Sequence, residues 1–258
     1  MRGRRRTRAL RAAGAAAAGA LLLASARYVS ARTLWPFVWD GPRQAADLLR
    51  RMFPPDWTYA RDLVGPLLET LHIATLGTLL ALAIAGPVAW LAARTTTPHP
   101  LFRAPALAAI AVSRSVNSLI WALLLVSIFG PGVLAGVLAI AFRSVGFVGK
   151  LLYEAIEEVE PGPLEALTAA GAGRLQVLRF AVVPRIAPVF AGVAWFRWDI
   201  NIREATVVGL VGAGGVGLAL DAAVSALEWA RAGMILILIL ALVLAAETLS
   251  ARARAAVR

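Results

Sequence analysis

The sequence predicts an all-α, polytopic membrane protein with about six transmembrane helices. Three observations carry that prediction. Hydrophobic residues make up 60% of the 258-residue chain, with a mean hydropathy of +0.74. They run in long blocks rather than in amphipathic stripes, and arginines gather at the block ends, as they do beside cytoplasmic membrane boundaries. The blocks approach the ~20 residues that cross a bilayer core. They fall near 10–26, 67–93, 113–129, 133–150, 187–208 and 232–250.

The first block follows a basic head of Arg2, Arg4, Arg5, Arg6, Arg8 and Arg11. A basic head, an apolar run and the A-x-A at Ala24–Ala26 also describe a cleavable signal peptide, and the expectation is an uncleaved span. A loop at 27–66 follows. Its middle, RQAADLLRRMFPPDW, reads as a short amphipathic helix stopped by Pro54 and Pro55. Tyr28, Trp35, Trp39, Trp57 and Tyr59 suit the membrane interface. The loop's six arginines conflict with an outside location, but Asp40, Asp47, Asp56 and Asp62 offset most of that charge. Span two offers Gly77, Ala81, Ala85 and Gly86 for close helix packing. Span three is taken to start at Arg114, its cytoplasmic edge, although Ala104–Val112 is apolar as well. Gly130-Pro131-Gly132 turns the chain into span four.

The longest polar segment, 154–184, separates spans four and five and is expected in the cytoplasm. After Pro161 and Pro163, a short helix over Leu164–Ala170 would carry Glu165 in its first turn, and Gly171 and Gly173 would end it. Such a helix is either a docking knob for a soluble partner or an ordinary surface loop. The expected organisation is therefore 1–66 for the tail, first helix and outer loop, 67–250 for the membrane domain, and 251–258 for a basic tail containing Arg252, Arg254 and Arg258.

Several function classes fall away. The net charge of +11 is nearly all arginine flanking apolar blocks, which reads as membrane orientation rather than nucleic-acid binding. There is no cysteine and there are two histidines, so no metal site or other cofactor is expected. The only lysine, Lys150, cannot serve a P-loop, which would need glycine at Ser144 and Ser or Thr at Leu151. VVGLVGAGGVGLAL, with Gly212, Gly214 and Gly217 at G-x-G-x-x-G spacing, continues a membrane span and precedes another. It reads as a close turn, Gly215 included, rather than as a dinucleotide fingerprint.

The polar segment carries a resemblance. Glu165, Ala166, Gly171 and Pro184 resemble the EAA loop of permease subunits of bacterial ABC importers, with Leu167, Ala181 and Val183 where that pattern prefers Ala, Ile and Leu. ETLHIATLGTLLALAIAGP, RSVNSLIW and FRWDINIREATVVGLVGAGGVG extend the likeness over about residues 60–250, and the last stretch looks like the phosphonate-type branch. The resemblance implies the type I permease fold, a homodimer in the bacterial cytoplasmic (inner) membrane with both termini cytoplasmic, two ATPase subunits docked on the EAA loop, and an extracytoplasmic binding protein. It implies a phosphonate or another small oxyanion as cargo and no catalysis on this chain. An intramembrane enzyme or an ATPase-independent channel are the rival classes. His72 and His99 lie in separate segments without a matching Ser or Asp motif, which disfavours the enzyme.

Ionisable residues within spans are costly and mark paths or pairs. Asp199 and Arg203, four apart, are expected to pair. Arg197 has no acid three or four positions away, and its face continues to Asn201 and Glu204; Arg143 is similarly placed in span four. For Arg143, Arg197 and Asn201 two readings stay open: partners on other helices, or the wall of an anion path. Gly212, Gly214, Gly215 and Gly217 are expected at the outer end of that path.

Overall fold

A computed structural model describes residues 2–257; Met1 and Arg258, the latter counted above in the basic tail, lie outside them. Backbone contacts divide the chain into a unit ending at Arg51 and a larger unit beginning at Met52. No strand occurs among the described residues.

The first unit holds two helices, α1 (Arg2–Arg32) and α2 (Trp35–Met52) up to its last residue. The stretch of α1 that is long and apolar enough to cross a membrane is Gly14–Arg32, displaced toward the C-terminus from the expected 10–26. Its end is tied locally: Thr33 Oγ1 donates to the Val29 carbonyl at 2.8 Å and the Trp35 indole to the Ser30 carbonyl at 3.2 Å. α2 is the expected amphipathic helix, begun eight residues earlier. Trp35, Val38, Trp39, Ala46 and Leu49 share one face, while Asp40, Arg43, Gln44 and Asp47 share the opposite one. It stops ahead of Pro54, where a backbone donor would be lost.

The second unit is a helical bundle around α3 (Val64–Ala92) and α6 (Val133–Glu157). Ile73, Ala74, Ala139, Ile140, Ile202, Ala205 and Val208 form its middle, all fully buried. Alanine and glycine are needed because the two axes approach closely: a Cβ on Gly77 would stand 2.8 Å from Ile140 Cγ2. Before α3 a 3-10 turn at Thr58–Arg61 is organised by Asp56. Asp56 Oδ1 accepts from Thr58 N at 3.1 Å, Thr58 Oγ1 at 2.6 Å and Tyr59 N at 3.3 Å, and Arg231 stands 3.7 Å away. The Thr58 hydroxyl above all, helped by these amides and Arg231, holds the Asp56 carboxyl below its usual range.

The expected third span, 113–129, is corrected. It is a broken helix, α4 (Pro100–Ser115) and α5 (Ser118–Phe129), whose axes meet at 92°. Val116 is extended (φ −98°, ψ 130°), and Asn117 caps α5 by accepting from Leu119 N at 3.0 Å. An Asn that can satisfy a first-turn amide favours a new helix start over continuation of the old one. His99 does the same for α4: Nδ1 accepts from Leu101 N at 3.1 Å, with Pro100 in the first position.

The remaining elements are α7 (Pro161–Ala169), α8 (Arg174–Val177), a π-turn at Leu178–Val182, α9 (Val183–Gly209), α10 (Gly215–Ser225) and α11 (Trp229–Val257). By length and apolarity the described residues hold five candidate spans, or six if the bent α4–α5 pair counts as one.

Candidate functional site

The polar segment after α6 folds into the short helix α7. It starts at Pro161, three residues before the expected Leu164, because a proline at the first helical position gives up no intrahelical bond and already has the right φ. Glu165 therefore lies past the first turn rather than in it, beyond the positive end of the helix dipole that favours a carboxylate. Leu164 packs toward a core of Ala89, Leu152, Ile156 and Val182, which leaves Glu165 and Ala166 exposed. The helix closes with a Schellman motif: Gly171 N donates to the Thr168 carbonyl and Ala172 N to the Leu167 carbonyl, both at 3.0 Å, with Gly171 at φ +84°. Two grooves flank this knob. One, of about 360 Å³, runs between Thr95–Pro98 and Leu164, Thr168 and Val182. The other, about 640 Å³, is lined by Glu160, Pro184, Arg185 and Ile186. The four residues of the EAA pattern are thus split, Glu165, Ala166 and Gly171 on α7 and Pro184 in the first turn of α9. Glu157 clasps the same end of the bundle, accepting from Arg94 N at 2.8 Å and facing Arg103 at 3.8 Å.

Midway along α6 and α9 the structure assembles a polar cluster. Arg197 is 2% exposed. Its Nε donates to Ser144 Oγ at 2.9 Å, and its Nη2 reaches both oxygens of Glu204 at 3.2 Å. Its guanidinium also lies 5.2 Å from the Phe147 ring centroid. Ser144 donates to Asn201 Oδ1 at 3.1 Å, and Asn201 Nδ2 donates to Thr78 Oγ1 at 2.8 Å, so the chain of bonds joins three helices. Arg143 approaches the same carboxylate from α6, Nε to Glu204 Oε1 at 3.4 Å, and its Nη1 donates to the Val116 carbonyl at the α4–α5 break, 3.3 Å away. The Arg143 side chain is 31% exposed and that of Glu204 18%.

Arg143, Arg197 and Asn201 are therefore brought together, with Glu204, Ser144 and Thr78 added. Two guanidiniums share one carboxylate, and the cluster keeps an excess positive charge. The sequence places Glu204 on the Arg197 face, seven residues on; what its spacing does not show is that Arg143, 61 residues away, reaches the same carboxylate. Asp199 and Arg203 pair as expected at 2.5 Å. Trp195 and Trp198 pack edge to face, and the Trp198 indole donates to Thr75 Oγ1 at 3.0 Å.

The glycine run serves a backbone contact. Gly212, at φ +89°, ends α9 with bonds from Gly212 N to the Gly209 carbonyl (3.0 Å) and Ala213 N to the Val208 carbonyl (3.3 Å). Gly214 and Gly215 also have positive φ, at +83° and +71°. A Cβ on Gly217 would fall 2.0 Å from the Thr206 carbonyl oxygen, so α9 and α10 cross at backbone distance. The Val216 amide donates to Thr70 Oγ1 at 2.8 Å, which ties the start of α10 to α3.

Comparison with known proteins agrees with this architecture. The family model described as binding-protein-dependent transport system inner membrane component matches residues 85–254. A phosphite transport system permease protein of Stutzerimonas stutzeri is 42% identical over 211 residues, which are 82% of this chain and 77% of that protein. A phosphate-import permease protein of Mycolicibacterium smegmatis is also 42% identical over 211 residues, 82% of this chain, but these span only 40% of its own length. Among solved structures, a methionine ABC transporter in an inward-facing conformation aligns with a TM-score of 0.68 at 20% identity, covering 79% of this chain and 99% of that one, a likeness of fold. With the family model spanning most of the helical bundle and all of the projecting α7, this chain belongs to the binding-protein-dependent transport system inner membrane components, the permease subunits of ABC importers.

Proposed function

We propose that the chain forms the translocation path for a small phosphorus oxyanion (phosphite, phosphate or a phosphonate) delivered by an extracytoplasmic binding protein and moved by ATP hydrolysis on separate subunits. The observation that carries the reading is the 42% identity to a phosphite permease over 82% of this chain. The polar cluster is consistent with it. Charge at membrane depth is expensive unless it meets other charge or water, and an anion crossing here would find the partly exposed Arg143 beside a net positive cluster.

In this reading two copies of the chain enclose the path and two ATPase subunits receive α7, with Glu165 and Ala166 on its exposed face and Pro184 in the adjoining groove. Closure of the ATPases then moves α7 as a rigid body. The glycine loop at 212–217 lies at the outer end, and both termini lie in the cytoplasm. Residues 67–250 are the transporting part, and the polar segment 154–184 is its cytoplasmic contact.

The test is uptake of labelled phosphite into proteoliposomes that hold this chain, its ATPase and its binding protein. ATP-dependent uptake that needs the binding protein is expected. Passive flux without ATPase would place the protein among channels instead.

A further inference from the structure

The polar cluster distinguishes its two arginines. Arg197 is enclosed: Ser144, both Glu204 oxygens and the Phe147 face take up its guanidinium, and 2% of the residue is exposed. Nothing that moves through the protein reaches it without dismantling those contacts. Arg143 is held more loosely, by one bond to Glu204 and one to the Val116 carbonyl, with about a third of its side chain open. The carboxylate between them is itself partly open at 18%.

On the reading above, we propose that Glu204 is a built-in counter-anion: it occupies Arg143 while the path is empty and yields that guanidinium to the phosphorus oxyanion during passage. Arg197 is a positioning residue that keeps the carboxylate in reach. The chemistry supports an exchange. A planar carboxylate and a tetrahedral phosphorus oxyanion each present a pair of anionic oxygens to a guanidinium, so each can take the other's place on Arg143. Arg197 reaches both Glu204 oxygens through Nη2 and can hold the carboxylate by one while the other leaves.

Arg143 also holds the carbonyl of Val116, the residue that closes α4, where the negative end of that helix dipole favours a guanidinium. A competing internal anion also answers a transporter's problem, since a naked pair of arginines would hold an oxyanion too long to release it. The exchange moves no covalent bond. One charge-assisted contact opens as another forms.

The experiment uses the full complex of permease, ATPase and binding protein in nanodiscs and proteoliposomes, with labelled phosphite as the probe. Glu204→Gln keeps size and hydrogen-bonding capacity but removes the competing charge. Phosphite retained by the nanodisc complex after removal of binding protein should rise roughly 10-fold or more, the scale of one charged hydrogen bond, while maximal uptake falls. Glu204→Asp should retain intermediate amounts. Glu204→Gln combined with Arg143→Gln should abolish the extra retention, which a purely structural carboxylate would not produce. Arg197→Lys should lower uptake and leave Glu204 less able to compete, raising retention in the same direction. Equal phosphite retention by wild type and Glu204→Gln, with wild-type uptake intact, overturns the counter-anion role and leaves the transport reading standing. Absence of phosphorus oxyanion uptake by wild type overturns both.

Discussion

Gly171 offers the cleanest way to separate the shape of α7 from its chemistry. It is exposed, and no heavy atom lies within 4 Å of where a Cβ would stand. A substitution there meets no neighbour, and its whole cost is backbone. At φ +84° an L-residue pays about 1–2 kcal/mol, and a β-branched one sits at the upper end. That energy acts on two bonds, Gly171 N to the Thr168 carbonyl and Ala172 N to the Leu167 carbonyl. Gly171→Val should therefore raise the open population of this cap roughly 5- to 30-fold, with Gly171→Ala somewhat less affected and Gly171→Asn least, since Asn tolerates the left-handed region. Hydrogen exchange of the two amides in the purified complex reads the first effect. Stimulation of ATPase activity by loaded binding protein reads the second, and it should fall in the same order while membrane insertion persists. Gly173→Ala is the control, because its nearest contact would be an unstrained 3.8 Å from Gln176 Oε1 and its φ is not positive. Equal exchange in Gly171→Val and Gly173→Ala, with full stimulation in both, would refute the argument that this cap shapes the ATPase contact.

Gly217→Ala should cost ~3 kcal/mol or more and lower the melting temperature of the detergent-solubilised protein sharply, because its Cβ would overlap the Thr206 carbonyl oxygen; Gly192→Ala, with open space around it, should be neutral or slightly stabilising. Thr70→Val leaves the buried Val216 amide without its acceptor and should cost ~1–3 kcal/mol in the same melt. Asp56 is held below its ordinary 3.8, so its grip on the Thr58–Arg61 turn is complete above that value and fades as pH falls through the lowered one; acid titration of Thr58 amide exchange should show this and Asp56→Asn should abolish it. Single cysteines at 45 and 165 in this cysteine-free chain should label from opposite sides of the membrane if the arginine distribution sets the topology as proposed.

What the sequence disclosed, and what it hid, divides by distance along the chain. The long apolar blocks locate both ends of α3 and α9 and the starts of α6 and α11 within about four residues, since each is one continuous signal, while α6 and α11 run on past their blocks into polar sequence. The Gly130-Pro131-Gly132 turn and the Gly212 turn are equally local. The break before α5 turned on a single residue, Asn117, whose capping bond competes with an otherwise acceptable helix, and an apolar count does not register that competition. The start of α7 moved for the same kind of reason, at Pro161. The polar cluster was half visible. Arg143, Arg197 and Asn201 stood out as polar groups at membrane depth, and Glu204 lies on the Arg197 face, but that its carboxylate unites the two arginines depends on a contact between helices. Thr70 gave no signal at all, because its partner Val216 lies 146 residues away.

The shape of α5 bears on how the protein enters the membrane in the first place. Its 12 residues extend about 18 Å, well short of the ~30 Å hydrocarbon core, and α4 turns away from it at 92°. Such a segment is too short to be stopped and held in a bilayer as it emerges from the ribosome. Its route in is as one arm of a hairpin, with the Gly130-Pro131-Gly132 turn as the bend and α6 as the arm long enough to be recognised; Gly132 N is later secured by the Gly212 carbonyl at 2.9 Å. On this geometry α5 and α6 are expected to enter the bilayer as a pair.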